Sequence, residues 1–148
     1  GCTSTHFCPD AGGTRAEMAA FLVRALDLES ADETDPFTDD DDSFFEDEIE
    51  TLYANDITSG CTATTFCPSE LVTREQMAAF VTRAFVLTGP ATPTDPFVDT
   101  DESLFRDEIE ALYANDVTSG CTATWFCPAS TVTRAEMAAF LIRALAVS

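Results

Sequence analysis

Three kinds of residue in this chain could do chemistry by type and spacing: paired cysteines, acidic runs and arginines at helix starts. The cysteines lie six positions apart, in GCTSTHFCP at 1–9, GCTATTFCP at 60–68 and GCTATWFCP at 120–128. C-x5-C lacks the two-residue gap of zinc knuckles, and the lone histidine is His6, so a metal site is a poor use for them. A local disulfide within each loop is favoured, pairing Cys2 with Cys8, Cys61 with Cys67 and Cys121 with Cys127. Cross-links between subunits are the competing use. Closing so short a ring restricts the unfolded chain by about 2.4 kcal/mol on the loop-entropy formula.

The acidic runs are DDDDS at 39–43 and DTDES at 99–103, which place oxygens at alternating positions as calcium loops do. With Asp39 as position one, Asp41, Ser43, Asp47 and Glu50 fall at three, five, nine and twelve of an EF-hand-like frame. Asp99, Asp101, Ser103, Asp107 and Glu110 repeat it. Phe44 or Leu104 stands where an EF-hand requires glycine, so the loop is not an EF-hand. From Asp32 to Glu50 there are eleven acids and no cation. Calcium is the cofactor this charge density calls for; a solvated acidic helix start, favoured by the helix dipole, is the plainer use.

Arg15, Arg74 and Arg134 each follow a threonine that opens an apolar-periodic stretch. Arg15 lies three and seven positions before Met18 and Leu22, on the rim of the apolar stripe, where a charge needs a partner. An ion pair with an acid of a neighbouring unit is one use and a ligand contact the other. Arg24, Arg83 and Arg143 sit near helix C-termini, where the dipole favours cations. Catalysis has little support: there is one histidine, no lysine and no nucleophile–base pairing, so the chain reads as non-enzymatic.

These residues are positioned by a repeat. Shifting the sequence by 60 aligns the segment from Asp35 with the segment from Asp95, and residues 1–34 carry only the second half of a unit. The expected organisation is 1–34, 35–94 and 95–148, with the first repeat lacking its first helix. Each full unit reads as helix, loop, helix. First helices are expected near Ser43 and Ser103, carrying Phe45, Ile49, Leu52 and Tyr53, or Phe105, Ile109, Leu112 and Tyr113. Second helices are expected at Thr14, Thr73 and Thr133, with Glu17, Gln76 and Glu136 at capping-box spacing. Their stripes are Met18, Phe21, Leu22 and Ala25, then Met77, Phe80, Val81 and Ala84, then Met137, Phe140, Leu141 and Ala144. Without a first helix, the stripe on the first repeat is expected to lack its partner. The class is therefore mainly α.

Composition narrows the partners. A net charge of -20, with all seven cations arginine, excludes a phosphate backbone as an expected ligand. No apolar run approaches the roughly 18 residues a membrane helix needs. Three evenly spaced cysteine pairs favour an oxidising, extracellular location. The missing initiator Met and signal peptide suggest a processed or trimmed chain.

The ordered string F-x-D, I-x-x-L, I-x-x-G, F-x-P and T-R-x-E resembles the S-layer homology repeat. Phe37, Asp39, Ile49, Leu52, Ile57, Gly60, Phe66, Pro68, Thr73 and Arg74 carry it in the second unit. Phe97, Asp99, Ile109, Leu112, Val117, Gly120, Phe126, Pro128, Thr133, Arg134 and Glu136 carry it in the third. Gly1, Phe7, Pro9, Thr14, Arg15 and Glu17 remain in the first. The resemblance implies tandem helix-loop-helix repeats in a pseudo-threefold arrangement. It also implies a bacterial cell-surface module that binds cell-wall-linked polysaccharide, and it gives Arg15, Arg74 and Arg134 the glycan contacts, to an acidic and often pyruvylated sugar. The alternative reading is a self-assembling subunit of a surface layer or filament, completed head to tail by copies of itself into a homo-oligomer or polymer.

Overall fold

The structure is a computed structural model and describes residues 2–30 and 34–148. Gly1 of the repeat motif and Asp32 and Glu33 of the acidic run lie outside the described residues. Among the described residues five helices form: α1 (Arg15–Leu26), α2 (Glu46–Ala54), α3 (Arg74–Ala84), α4 (Arg106–Ala114) and α5 (Arg134–Leu145). Among the described residues extended chain pairs only at isolated bridges, so the mainly α class holds. No helix among those residues is long and apolar enough to cross a membrane. The chain divides into two compact bodies. One is Gly13–Val72, with α1 and α2; the other is Gly1–Gly12 with Thr73–Ser148, containing α3, α4 and α5.

The second helices start where the capping boxes are. Thr14, Thr73 and Thr133 take extended backbone and accept from the amide three residues on. Glu17, Gln76 and Glu136 return a bond to the cap amide, which satisfies two orphan donors at each start. Alanine-rich runs such as RAEMAAFLVRAL then propagate the helix at low entropic cost. The first helices begin three residues later than their sequence suggests. Ser43 and Ser103 accept from the amides of Phe45 and Phe105, at 3.2 and 3.1 Å, which closes a short turn instead of opening a helix. α2 and α4 then start without a side-chain cap and rest on acidic first turns.

In the first body α1 packs against α2, and Met18, Leu22, Ile49 and Leu52 are fully buried. Each such side chain contributes about 1.5–3 kcal/mol relative to exposure. α3 and α4 pack in the same way in the second body. Within each body the helix pair thus joins the second helix of one repeat to the first helix of the next. This corrects the expectation that the α1 stripe lacks a partner: α2 supplies it. Among the described residues no helix precedes α1.

The loop after each first helix is a fixed structure. Phe37 lies against Phe66 and Tyr53 at ring distances of 5.7 and 5.5 Å, and Phe97 repeats this with Phe126 and Tyr113 at 5.5 and 5.4 Å. Gly60 and Gly120, at φ of 84° and 86°, let the chain pass over these rings. A Cβ at Gly60 would meet Thr62 O at 2.5 Å and the Phe37 ring at 2.6 Å. The disulfides close within each loop, Cys2–Cys8, Cys61–Cys67 and Cys121–Cys127, with Cα separations of 5.9, 6.1 and 6.0 Å. No free cysteine remains, so these six cysteines are not used between subunits.

Candidate functional site

The arginines of the three T-R motifs occupy equivalent settings. In the first body the Arg15 amide donates to Glu70 O at 2.8 Å and the Ala16 amide to Pro68 O at 3.0 Å. In the second body Arg74 and Glu75 donate to Ser130 and Pro128, and Arg134 and Ala135 donate to Ala11 and Pro9. The first-turn amides that could have faced an anion are therefore bound by carbonyl oxygens of another repeat's F-C-P turn.

The side chains follow the backbone. Nε of Arg15 donates to Phe66 O at 2.7 Å, that of Arg74 to Phe126 O at 2.8 Å and that of Arg134 to Phe7 O at 2.9 Å. Each guanidinium lies over the ring of the same phenylalanine, at 4.7, 4.9 and 5.2 Å. All three arginines are buried, with 4%, 6% and 3% of their surface exposed. Desolvation lowers the pKa of Arg15, opposed by Glu70 and Asp39, and that of Arg74, opposed by Glu136 and Asp99. A guanidinium stays charged nonetheless. The arginines act as keystones between repeats within each body. The expected ion pair with an acid of a neighbouring unit is present at Arg74, 3.4 Å from Glu136; sequence reasoning missed the backbone carbonyl partners, which no side-chain pattern reveals.

The acidic residues separate into two groups. The Asp39 carboxylate accepts from the amides of Phe66 and Cys67 at 2.7 and 2.8 Å, and Asp99 accepts from Phe126 and Cys127, both at 2.8 Å. These two carboxylates of the calcium-like frame hold the disulfide loop onto the start of each unit. Ser43 and Ser103 serve turns, and Ser103 also donates to Glu75 at 2.7 Å. Asp101 faces Arg106 at 3.4 Å. Asp41 joins a different set: oxygens of Asp35, Asp40 and Asp41 all lie within 4.8 Å of one another. Sequence reasoning passed over Asp35 and Asp40. Burial raises the Asp40 pKa to about 6; its own backbone opposes the shift, and Asp35, Asp39 and Glu46 add to it. Burial first, then Asp35 and Glu46, also raise Glu50.

A cleft of about 310 Å³ in the first body opens at the start of α1, lined by Thr14, Ala16, Asp39, Asp42, Ser43, Pro68 and Ser69. Hydroxyls, carboxylates and a proline face make a surface suited to polyhydroxylated ligands. Phe44, next to Ser43 in the chain, is 88% exposed. Asp42 and Ser69 were not singled out by the sequence, and only the folding of the loop onto α1 brings them together.

The chain matches the S-layer homology domain over residues 36–78 and 96–138. It is 32% identical over 144 residues to an endoglucanase of Bacillus sp. (strain KSM-635), covering 93% of this chain and 15% of that protein. It is 29% identical over 150 residues to the surface-layer 125 kDa protein of Lysinibacillus sphaericus, covering 98% of this chain and 13% of that protein. Both similarities thus run along almost all of this chain and a small fraction of each relative. Two family matches, falling on the two complete repeats and continued by buried arginines at all three T-R motifs, place the chain in the S-layer homology domain family.

Proposed function

We propose that this chain is a non-catalytic anchoring module that holds a larger extracellular protein at the bacterial cell surface by binding cell-wall-linked polysaccharide. The observation that carries this reading is the nature of the overlap. One stretch of about this chain's length recurs in an endoglucanase and in a surface-layer protein, while most of each relative lies outside it. What two proteins of such different names share is more simply a means of attachment than a reaction. Chain and ligand meet in the cleft at the start of α1, where Thr14, Asp42, Ser43 and Ser69 offer groups for sugar hydroxyls. Phe44 offers an exposed ring for a sugar face. Arg15, Arg74 and Arg134 contribute by fixing the turns that form such walls.

The reading is tested by co-sedimentation with purified polysaccharide-bearing walls. Replacing Asp42, Phe44 and Ser69 together by alanine is expected to weaken binding at least tenfold without changing the melting temperature. Undiminished binding in that variant would remove the cleft from the account.

Self-assembly is a second reading, favoured by one feature of the second body. Ile142 and Leu145 of α5 are 68% and 44% exposed. At the register of Ile142, α3 carries Thr82, whose hydroxyl donates to Glu108 O of α4 at 3.2 Å. The face that receives a first helix on α3 thus exposes Ile142 on α5, and in this reading a first-helix segment of another copy covers it. Sedimentation velocity decides this: association that Ile142→Asp abolishes supports it, and a monomer at all concentrations removes it.

A further inference from the structure

The two complete repeats differ in one corner, where the second repeat has lost its cation. In the third repeat Arg106 occupies the middle of an acidic group. Its guanidinium bonds to Asp95, lies 3.4 Å from Asp101 and 3.8 Å from Glu110. Pairing with Asp95 raises the Arg106 pKa, and Arg106 in turn lowers that of Asp95. The acids are all kept in the second repeat, as Asp35, Asp41 and Glu50, but the arginine is replaced by Glu46. A second change points the same way. Thr100 is buried and its hydroxyl donates to Phe97 O at 3.3 Å, whereas its counterpart is Asp40. The corner around Asp40 is therefore three charges more negative than its twin, with no guanidinium to balance it.

Asp40 supplies an observation independent of the acidic clustering. Its side chain is fully buried, and neither carboxylate oxygen has a hydrogen-bond partner. An ionised carboxylate in that state costs several kcal/mol unless a cation or a proton joins it. Its oxygens are within 4.8 Å of those of Asp35 and Asp41, which are exposed and face water. Two oxygens bound to one calcium ion at about 2.4 Å can be at most about 4.8 Å apart. The cluster therefore fits around a single ion, with water completing six to eight ligands.

We propose that Asp35, Asp40 and Asp41 form a calcium site, in which the ion takes the place that the Arg106 guanidinium holds in the third repeat. Hard carboxylate oxygens without sulfur or nitrogen suit calcium, and two exposed ligands on a loop suit its flexible geometry better than the strict octahedron of magnesium. The ion would tie the residues before Phe37 to the turn that opens α2. It would stabilise the first body through its own ligands, independently of any glycan.

Thermal melts of the full chain, followed by circular dichroism in chelator and then in calcium at constant ionic strength, test the proposal. Calcium at a hundredfold excess over its dissociation constant should raise the midpoint by roughly 5–10 °C. Titration calorimetry should give a stoichiometry near one ion per chain. Glu46→Arg, which places the arginine of the third repeat at this half-buried position, should melt higher than wild type in chelator and lose the calcium response. Asp40→Thr, which copies Thr100, should lose it too. Two results would overturn the assignment: no calcium-dependent shift in the wild type, or a shift that survives in both variants. An equal response to magnesium would overturn the choice of calcium.

Discussion

Replacing Arg74 by alanine removes a buried charge from the second body together with everything that holds it. The residue is 6% exposed, and its side chain donates from Nε to Phe126 O at 2.8 Å and lies 4.9 and 5.5 Å from the rings of Phe126 and Phe140. A Glu136 carboxylate is 3.4 Å away. A hydrogen bond from a charged donor is worth about 1.5–3 kcal/mol, and a desolvated cation over a ring about 1–2 kcal/mol. These overlap, and the carbonyl left behind lies beside a cavity, so the expected loss is about 2–4 kcal/mol. At roughly 2–4 °C per kcal/mol for a chain of this size, the midpoint should fall by roughly 5–15 °C. Lysine should rescue little, because it lacks the planar fork that bonds and stacks at once. Urea and thermal unfolding of wild type, Arg74→Ala and Arg74→Lys measure the effect. A midpoint for Arg74→Ala within about 2 °C of wild type, accompanied by loss of wall binding, would refute the keystone role. It would make the arginine a ligand contact instead.

Three further outcomes follow from the same geometry. Gly60→Ala places a Cβ 2.5 Å from Thr62 O and 2.6 Å from the Phe37 ring at a positive φ, so it should cost more than about 3 kcal/mol in urea unfolding, whereas Gly89→Ala, with no contact under 3.8 Å, should be near neutral. Replacing Cys61 and Cys67 by serine opens a short ring and should cost about 2.4 kcal/mol, read as a drop in the denaturant midpoint on non-reduced protein. In chelator, Asp40 binds its proton more tightly in the folded state, at a pKa of about 6 against 3.8, because of burial and the nearby Asp35, Asp39 and Glu46. Its penalty is absent below pH 4, grows between pH 4 and 6 and is complete above; Asp40→Thr should therefore stabilise the calcium-free protein at pH 7 by roughly 1–3 kcal/mol and leave it unchanged near pH 4.

What the sequence made legible was local. The capping boxes at Thr14, Thr73 and Thr133 require only residues three apart, and the structure places helices there. The cysteine rings are equally local. Ser43 and Ser103 misled by a few residues, since a serine can close a turn as readily as it caps a helix. Pairing across repeats was hidden, because periodicity shows which face of α1 is apolar and not which helix covers it. The carbonyl partners of the three arginines were hidden for the same reason. Asp40 is a different kind of miss. Aligning the repeats for their cations, Arg106 against Glu46, would have exposed the charge imbalance, whereas counting acids against an EF-hand frame directed attention to Asp39 and Asp99, which bind backbone amides.

The central claim is attachment to a wall polymer, and one measurement bears on it most directly. Binding isotherms of the full chain to purified walls, before and after chemical removal of their covalently linked polysaccharide, compare the surface with and without its ligand. The account predicts saturable binding to the intact walls and its loss when the polysaccharide is gone. Equal binding to both preparations, or none to either, would contradict it.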